Sequence, residues 1–178
     1  EPFVIFSDLM INGISGNSQV NTGESFTVDV QLQNFGMVET GELVMQVSTD
    51  NPNVNITSES LSFDGLGAFD SLSLVDALSI ELIGPLENQE NISLVFTISD
   101  TLGNVWESIG SFTVNAPDIE FVSHTIDDAD GNGFIDFNES AVINVTLTNL
   151  GGVNSLDGLA VATSDFSSLQ IIQDSILF

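Results

Sequence analysis

The chain has 178 residues, of which 26 are acidic and none is lysine or arginine, so its formal net charge is −26. Average usage would give roughly 20 basic residues in this length, so the usual electrostatic route to nucleic acid or anionic lipid is excluded and cations are the natural small partners. The hydrophobic content of 42% is typical of a folded protein, the absence of cysteine excludes disulfides, and no apolar run is long enough to span a membrane.

The first part of the chain alternates apolar and polar residues with a period of two. The segments 24–34, 41–48, 78–83, 91–99 and 110–115 follow this pattern, and Gly, Asn, Asp or Pro separate them. This pattern predicts an all-β protein built of antiparallel β-sandwiches of immunoglobulin type. In the first of these segments the residues expected to be buried are Phe26, Val28, Val30 and Leu32, and those expected to face outward are Thr27, Asp29, Gln31 and Gln33.

An internal repeat sets the domain organisation. The segment GESFTVDVQLQNFG, residues 23–36, aligns with NESAVINVTLTNLG, residues 138–151, at an offset of 115 residues. The same register continues without a gap until Phe63 meets Phe178. We therefore predict tandem sandwiches over residues 1–116 and 117–178, of which the second is incomplete and contains only the first half of the repeat. That half is expected to expose a sheet edge and half of a core.

The acidic segment DDADGNGFIDFNES, residues 127–140, has the ligand spacing of a calcium-binding loop. Such a loop needs oxygen ligands at positions 1, 3 and 5, glycine at 6, a main-chain carbonyl at 7 and a bidentate carboxylate at 12. Counted from Asp128, the predicted Ca²⁺ ligands are Asp128, Asp130, Asn132, the carbonyl of Phe134, Asp136 (directly or through water) and Glu139. The alternative interpretation is an acidic turn between two strands that binds nothing.

The first copy provides a comparison for this loop. Its matching stretch carries Gly13, Ser15, Asn17, Ser18 and Asn21, and of the four carboxylates it retains only the glutamate, at position 24. We expect that stretch to bind no metal. Because the acidic loop of the second copy is flanked by strands, we expect it to clamp the first strand of that copy against the second and to stiffen its contact with the first copy.

The residue types that form most catalytic pairs are missing. Without Cys, Lys, Arg or Tyr, few nucleophile and base combinations are available, so we predict no enzyme activity. His124, the one histidine, is expected on the solvent face of a strand. Trp106 is either a core or edge residue or a contact for a partner or glycan.

The combination of NAPDIEF with DDADGNGFIDFNESAVINVTLTNLG resembles the Ig-like repeats of large secreted proteins of Bacteroidetes that the type IX system exports. In that family a D-x-D-G-N-G-x-x-D-x-G-E turn leads into a V-x-L-x-N-x-G strand. The specific part of the resemblance covers residues 118–151, and the chain departs from it at Asn138, where the family usually has glycine. Similar modules accompany gingipain-like and subtilisin-like peptidases and also build adhesins. None of the catalytic residues of those peptidases has a counterpart here.

The resemblance also implies sites of modification. Proteins of this lineage are O-glycosylated at Asp-Ser/Thr-apolar triplets, and three such triplets mark Ser71, Thr101 and Ser175.

Two functions fit these observations. The first is a non-catalytic structural or adhesive module of a long extracellular cell-surface protein, in which calcium at the start of the second repeat sets the angle between sandwiches. The second is an accessory stalk of a secreted gingipain-like or subtilisin-like peptidase. A carbohydrate-binding module is a third interpretation. The expected partners are adjacent repeats of the same longer chain and a surface polysaccharide or protein receptor, with no nucleic acid and no insertion into a membrane.

Overall fold

The computed structural model describes residues 1–12, 20–58, 60–155 and 157–177. It divides into two compact units, Glu1–Ala116 and Pro117–Phe178, which we call unit 1 and unit 2. All regular structure in the described residues is β-strand, so the predicted all-β class is confirmed. No helix in these ranges is long and apolar enough to cross a membrane.

Unit 1 contains nine strands among its described residues. They are β1 (Val4–Asn12), β2 (Val20–Asn21), β3 (Ser25–Asn34), β4 (Leu43–Ser48), β5 (Val54–Ile56), β6 (Ser60–Phe63), β7 (Ser71–Leu82), β8 (Glu90–Asp100) and β9 (Val105–Asn115). Unit 2 contains β10 (Ile119–Asp127), β11 (Val142–Asn149), β12 (Leu159–Val161) and β13 (Ser175–Leu177).

The strands of unit 1 form two sheets that pack face to face. One sheet has the order β1-β3-β7-β5 and the other β2-β9-β8-β4-β6. Aromatic pairs join the two sheets: Phe6 stacks on Phe96 with ring centroids 4.3 Å apart, and Phe26 meets Phe112 edge to face at 5.3 Å. The pairing is antiparallel except between β2 and β9, which run parallel. Unit 1 is therefore a β-sandwich of the predicted kind with one parallel pair at its edge.

The predicted alternation of β3 is confirmed. Its apolar residues Phe26, Val28, Val30 and Leu32 are buried, and none of the polar residues that follow each of them in turn is buried. Asp29, the acid that a one-residue slip would bury, lies at the partly exposed face. There it accepts hydrogen bonds from the Asn12 side chain at 2.5 Å and from the backbone N–H of Asp76 at 2.8 Å.

Two strands are longer than the alternation predicts. The alternation predicts only the second half of β7, because a bulge sets the one residue of β3 between Val28 and Val30 opposite the three residues of β7 between Leu74 and Leu78. Asp76 lies inside this bulge with a left-handed φ of 50°, so the period of two is broken there.

The alternation does not predict the first half of β9 either, and the reason is different. Gly110 occupies its buried face, and a Cβ at this position would lie 3.0 Å from Phe6 and from Phe96. The apolar Val105 and Ile109 lie exposed on the opposite face, so the sequence pattern does not mark the side of β9 that packs inward.

Unit 2 repeats the pairing of unit 1 at the offset of 115 residues. In unit 1, Val4 pairs with Asn34 and Asn12 with Thr27, with a bulge after Phe6. In unit 2, Ile119 pairs with Asn149 and Asp127 with Val142, with the bulge after Phe121. The pairing of β12 with β13 likewise follows that of β4 with β6. The described residues of unit 2 form these two two-stranded sheets; that they are the first half of a sandwich stays a prediction.

An asparagine fixes the same corner of both units. Asn34 is fully buried, and its Oδ1 accepts the backbone N–H groups of Phe3 at 3.0 Å and Gly36 at 2.9 Å. Its Nδ2 donates to the carbonyls of Val38, Leu66 and Gly67 at 2.9, 3.2 and 3.0 Å.

In unit 2, Asn149 makes three of these bonds. It accepts from the N–H groups of Asp118 and Gly151, both at 2.9 Å, and donates to the carbonyl of Val153 at 2.8 Å. In each copy the asparagine therefore connects the start of one strand of the hairpin, β1 or β10, to the turn that follows its partner strand, β3 or β11.

Candidate metal centre

The acidic loop connects the two strands of the β10–β11 hairpin. Beyond Asp127 the chain makes a series of tight turns, in which Gly131, Gly133 and Asn138 have φ values of 74°, 80° and 64°. Glycine adopts this left-handed conformation without a steric penalty, and asparagine tolerates it better than most residues. The sequence of the loop therefore suits its backbone at the positions where the chain reverses.

Three of the predicted ligands lie together. Asp128, Asp130 and Glu139 each place one carboxylate oxygen within 4.8 Å of the other two. Oxygen ligands at 2.3 to 2.6 Å from a calcium ion are separated by at most about 5 Å across the ion, so this spacing fits a single central cation. Because the chain has neither lysine nor arginine, no side chain of that kind neutralises the cluster.

The same carboxylates also hold the backbone of the loop. Asp128 accepts from the N–H groups of Gly131 and Gly133, the latter at 2.7 Å. Glu139 accepts from Ala129 N–H at 3.1 Å through one oxygen and from Asp136 N–H at 2.9 Å through the other. An ionised carboxylate offers about four acceptor sites, so these bonds leave capacity for a cation.

The other predicted ligands are arranged differently. The Nδ2 of Asn132 donates to Asp130 at 2.9 Å and to Asp136 at 3.1 Å, so the amide bridges two carboxylates. Its Oδ1 accepts from Phe134 N–H at 2.7 Å. Asp136 is not part of the group of three. Calcium ligation by these three residues, like that by Asp128, Asp130 and Glu139, stays a prediction.

The glutamate has a structural role that the sequence analysis missed. In unit 1, Glu24 accepts from Asn21 N–H at 2.9 Å, which matches the bond from Asp136 to Glu139. Gly23, with a φ of 80°, matches Asn138. The sequence held a signal of this role, because the glutamate is the only one of the four predicted carboxylate ligands that the first copy retains. The other residues of that stretch, 13–19, lie outside the described residues, so the expectation that it binds no metal stays a prediction.

Two carboxylates of unit 1 have a pKa lowered from the ordinary range, and both serve the fold. For Asp100, burial by itself raises the pKa, but hydrogen bonds from the side chain and backbone of Asn104 and from the N–H groups of Gly41 and Leu102 outweigh it. For Asp29, the bonds from Asp76 N–H and the Asn12 side chain lower the pKa. Asp100 closes the turn between β8 and β9, and Asp29 holds the bulge of β7.

The remaining candidate residues lie either at the surface or against the core of unit 1. Ser71, Thr101 and Ser175 are all exposed, and their modification by a sugar stays a prediction. His124 is exposed on β10, with its ring centroid 6.0 Å from that of Phe121. Trp106 is partly buried and packs against the core of unit 1, which favours the core interpretation over a contact with a partner or glycan.

Fold and loop together define an all-β chain with an immunoglobulin-like sandwich, unit 1, and a second unit of two two-stranded sheets whose first hairpin carries the acidic loop. No protein-family model matches the chain, and no curated protein is significantly similar to it.

Solved structures give distant likenesses. One is native alpha-2-macroglobulin from Escherichia coli, from domain MG7 to the C-terminus, at 12% identity and a TM-score of 0.48, covering 71% of this chain and 19% of that one. Another is BcpA, the major pilin subunit of Bacillus cereus, at 12% identity and a TM-score of 0.31, covering 100% of this chain and 66% of that one. A third is the YadV chaperone, at 13% identity and a TM-score of 0.32, covering 84% and 88%.

Proposed function

We propose that the chain is a non-catalytic structural or adhesive repeat module of a long extracellular cell-surface protein, and that calcium orders the second repeat. Adjacent repeats of the same longer chain are its first partners, and a surface polysaccharide or protein receptor is the class of ligand for an adhesive role.

The observation that carries this proposal is the common register of the two hairpins. The β1–β3 and β10–β11 pairs agree residue by residue at the offset of 115, including the position of the bulge. Repeat proteins gain length by stacking units of one kind, so two copies of one pairing scheme in succession support a fibre or stalk. The three exposed serine and threonine sites and the high negative charge suit a chain outside the cell, where sugars and cations are available.

The acidic loop supports calcium as the ordering ion. Asp128, Asp130 and Glu139 converge within 4.8 Å, and like charges this close repel one another unless a cation lies between them. A bound calcium would replace this repulsion by attraction and hold the end of β10 against the start of β11. The nine residues of β10 place the loop roughly 30 Å along the hairpin from the Pro117 end, so the proposed stiffening acts first on unit 2 itself.

Thermal unfolding with and without calcium tests the proposal. An extracellular site with a Kd of about 10⁻⁴ to 10⁻³ M would raise the free energy of unfolding by about 1.4 to 2.7 kcal/mol in 10 mM calcium. Circular dichroism follows the strands of both units, and Trp106 fluorescence reports on unit 1. We expect calcium to raise the transition of unit 2 and to leave the Trp106 transition unchanged.

The test needs a variant that removes charge from the loop and keeps the backbone hydrogen bonds of the loop. Replacing Glu139 would remove two backbone hydrogen bonds and would disturb the loop without calcium. Asp130→Asn keeps the shape of the side chain and removes one charge, and Asp174→Asn provides a matched control in the same unit. Loss of the calcium effect in Asp130→Asn alone supports the proposal. Coinciding melting curves with calcium and chelator in the unmutated chain would show that the loop is only a turn.

A further inference from the structure

One face of the β10–β11 hairpin is largely apolar, and its residues are partly or fully exposed. Ile143 is 51% exposed and Val145 is 55% exposed, whereas their counterparts in unit 1, Val28 and Val30, are 0% and 1% exposed. The face consists of Phe121, Ile126, Ile143, Val145 and Leu147, with the polar His124 opposite Val145 among them, and we call it the open face. The two hairpins therefore carry equivalent apolar surfaces, of which only one is covered.

Unit 1 shows which elements cover such a face. Strand β7 pairs along the outer edge of β3 and sets Leu72, Leu74 and Leu78 opposite Leu32, Val30 and Val28. Strands β8 and β9 cross above the hairpin with the rings of Phe96 and Phe112. Within the described residues of unit 2, β11 pairs only with β10. Its outer backbone edge is thus available for a further antiparallel strand.

The acidic loop contributes a second part of the surface. In unit 1, Val20 is 1% exposed and pairs in parallel with Val114 at the end of β9, and the N–H of Thr22 donates to Asn115 at 3.0 Å. The counterpart of Val20 is Ile135, which is 38% exposed. The inner segment of the loop, Ile135 and Asp136, therefore occupies the place where unit 1 receives its last strand.

We propose that the open face together with Ile135 is a docking surface for a three-strand segment with the chemistry of β7–β9. Its first strand extends the sheet beside β11, its middle and last strands cover Phe121 and Val145, and the last strand ends parallel to Ile135 and Asp136. Such a segment carries an apolar side chain at every second position facing the hairpin and an aromatic ring over Phe121. The proposal rests on the shared pairing register and does not require that the loop binds calcium.

This arrangement gives the acidic loop a defined place in the completed sandwich. The loop lies beside the end of the last strand, where the chain leaves the unit, as residues 20–22 do in unit 1. Ordering of the loop would therefore prepare the position for that strand and stiffen the exit end of the unit.

An extended chain tests the proposal. Residues 64–116 are repeated directly after Phe178, in register because Phe178 matches Phe63, and amide hydrogen exchange is followed across β11. We expect the amides of Ile143, Val145 and Leu147 to exchange at least about tenfold more slowly than in the original chain. A matched control carries serine in the added copies of Leu74 and Leu78, and a second carries Val145→Asp in the hairpin. In both controls we expect the amides of β11 to exchange as fast as in the original chain.

The outcomes separate the possible occupants. Unchanged exchange in the extended chain, or equal protection in both controls, would overturn the proposal. So would a stable dimer of the original chain that Val145→Asp dissolves, because a second copy would then cover the face. If the extension aggregates, a synthetic peptide of residues 70–82 added to the original chain takes its place. The peptide must slow amide exchange in β11 and leave it unchanged in β3. If it does not, the proposal is rejected. Each measurement is made in calcium and in chelator, which shows whether the result depends on metal binding by the loop.

Discussion

Replacing Asn34 by alanine is the sharpest test of how the sandwich of unit 1 is held together. The side chain is fully buried and joins the start of β1, the turn after β3 and the segment before β7. Alanine removes two acceptor bonds, from Phe3 and Gly36, and three donor bonds to carbonyls. Five backbone groups lose a partner at a place that water reaches poorly.

The magnitude follows from these bonds. A buried polar group left without a partner is destabilising by about 1 to 3 kcal/mol. The two N–H groups dominate, since each carbonyl has a second lone pair and small shifts restore part of its bonding. We therefore expect Asn34→Ala to lower the free energy of unfolding of unit 1 by about 2 to 4 kcal/mol. Asn34→Asp should be at least as harmful, because its carboxylate would face three carbonyl oxygens.

Urea denaturation followed by Trp106 fluorescence measures this loss, because the single tryptophan lies in unit 1. Asn149→Ala provides the internal control: the same residue in the same motif, but exposed to water and with three of the five bonds. Its effect on the Trp106 transition should stay below about 0.5 kcal/mol. The reasoning would be refuted if Asn34→Ala left the midpoint unchanged, or if both variants shifted it equally.

Two further predictions concern unit 1. Gly110→Ala should destabilise it by about 1 to 3 kcal/mol, because the added Cβ would lie 3.0 Å from the stacked rings of Phe6 and Phe96; an unchanged urea midpoint would contradict this packing. Asp100 has a lowered pKa because its hydrogen bonds favour the carboxylate, so its stabilisation is present above about pH 4 and is lost as the pH falls through the lowered pKa. The difference in the free energy of unfolding between the unmutated chain and Asp100→Asn should therefore shrink in acid. A constant difference from pH 7 to pH 2.5 would contradict this role of the Asp100 carboxylate.

The sequence predicted the parts of the fold that depend on local periodicity or on repetition. The alternation of β3 placed its four apolar residues in the core correctly, because a strand with one buried face has a strict period of two. The repeat placed the second hairpin in the observed register, since both copies share the same polar and glycine positions around the strands. The loop spacing brought together Asp128, Asp130 and Glu139 for the same reason, as ligand positions within one short loop are local.

What could not be predicted depends on contacts between segments distant in the chain. The bulge at Asp76 exists because β3 supplies Asp29 and Thr27 to hold it. Gly110 faces inward because two rings from other strands meet there. Asn34 is recognisable as part of a repeated Asn-x-Gly motif, but its bonds to Leu66 and Gly67 appear only when the chain has folded back.

Hydrogen exchange of the acidic loop tests the central claim most directly. In the 178-residue chain, amide exchange over residues 128–139 is compared in chelator and in 10 mM calcium, with Asp130→Asn as the control. If calcium orders this repeat, the loop amides and the adjoining ends of β10 and β11 should exchange at least about fivefold more slowly in calcium. Strands β3, β8 and β9 should be unaffected, and Asp130→Asn should lose the effect. Equal exchange of the loop with and without calcium would contradict the account.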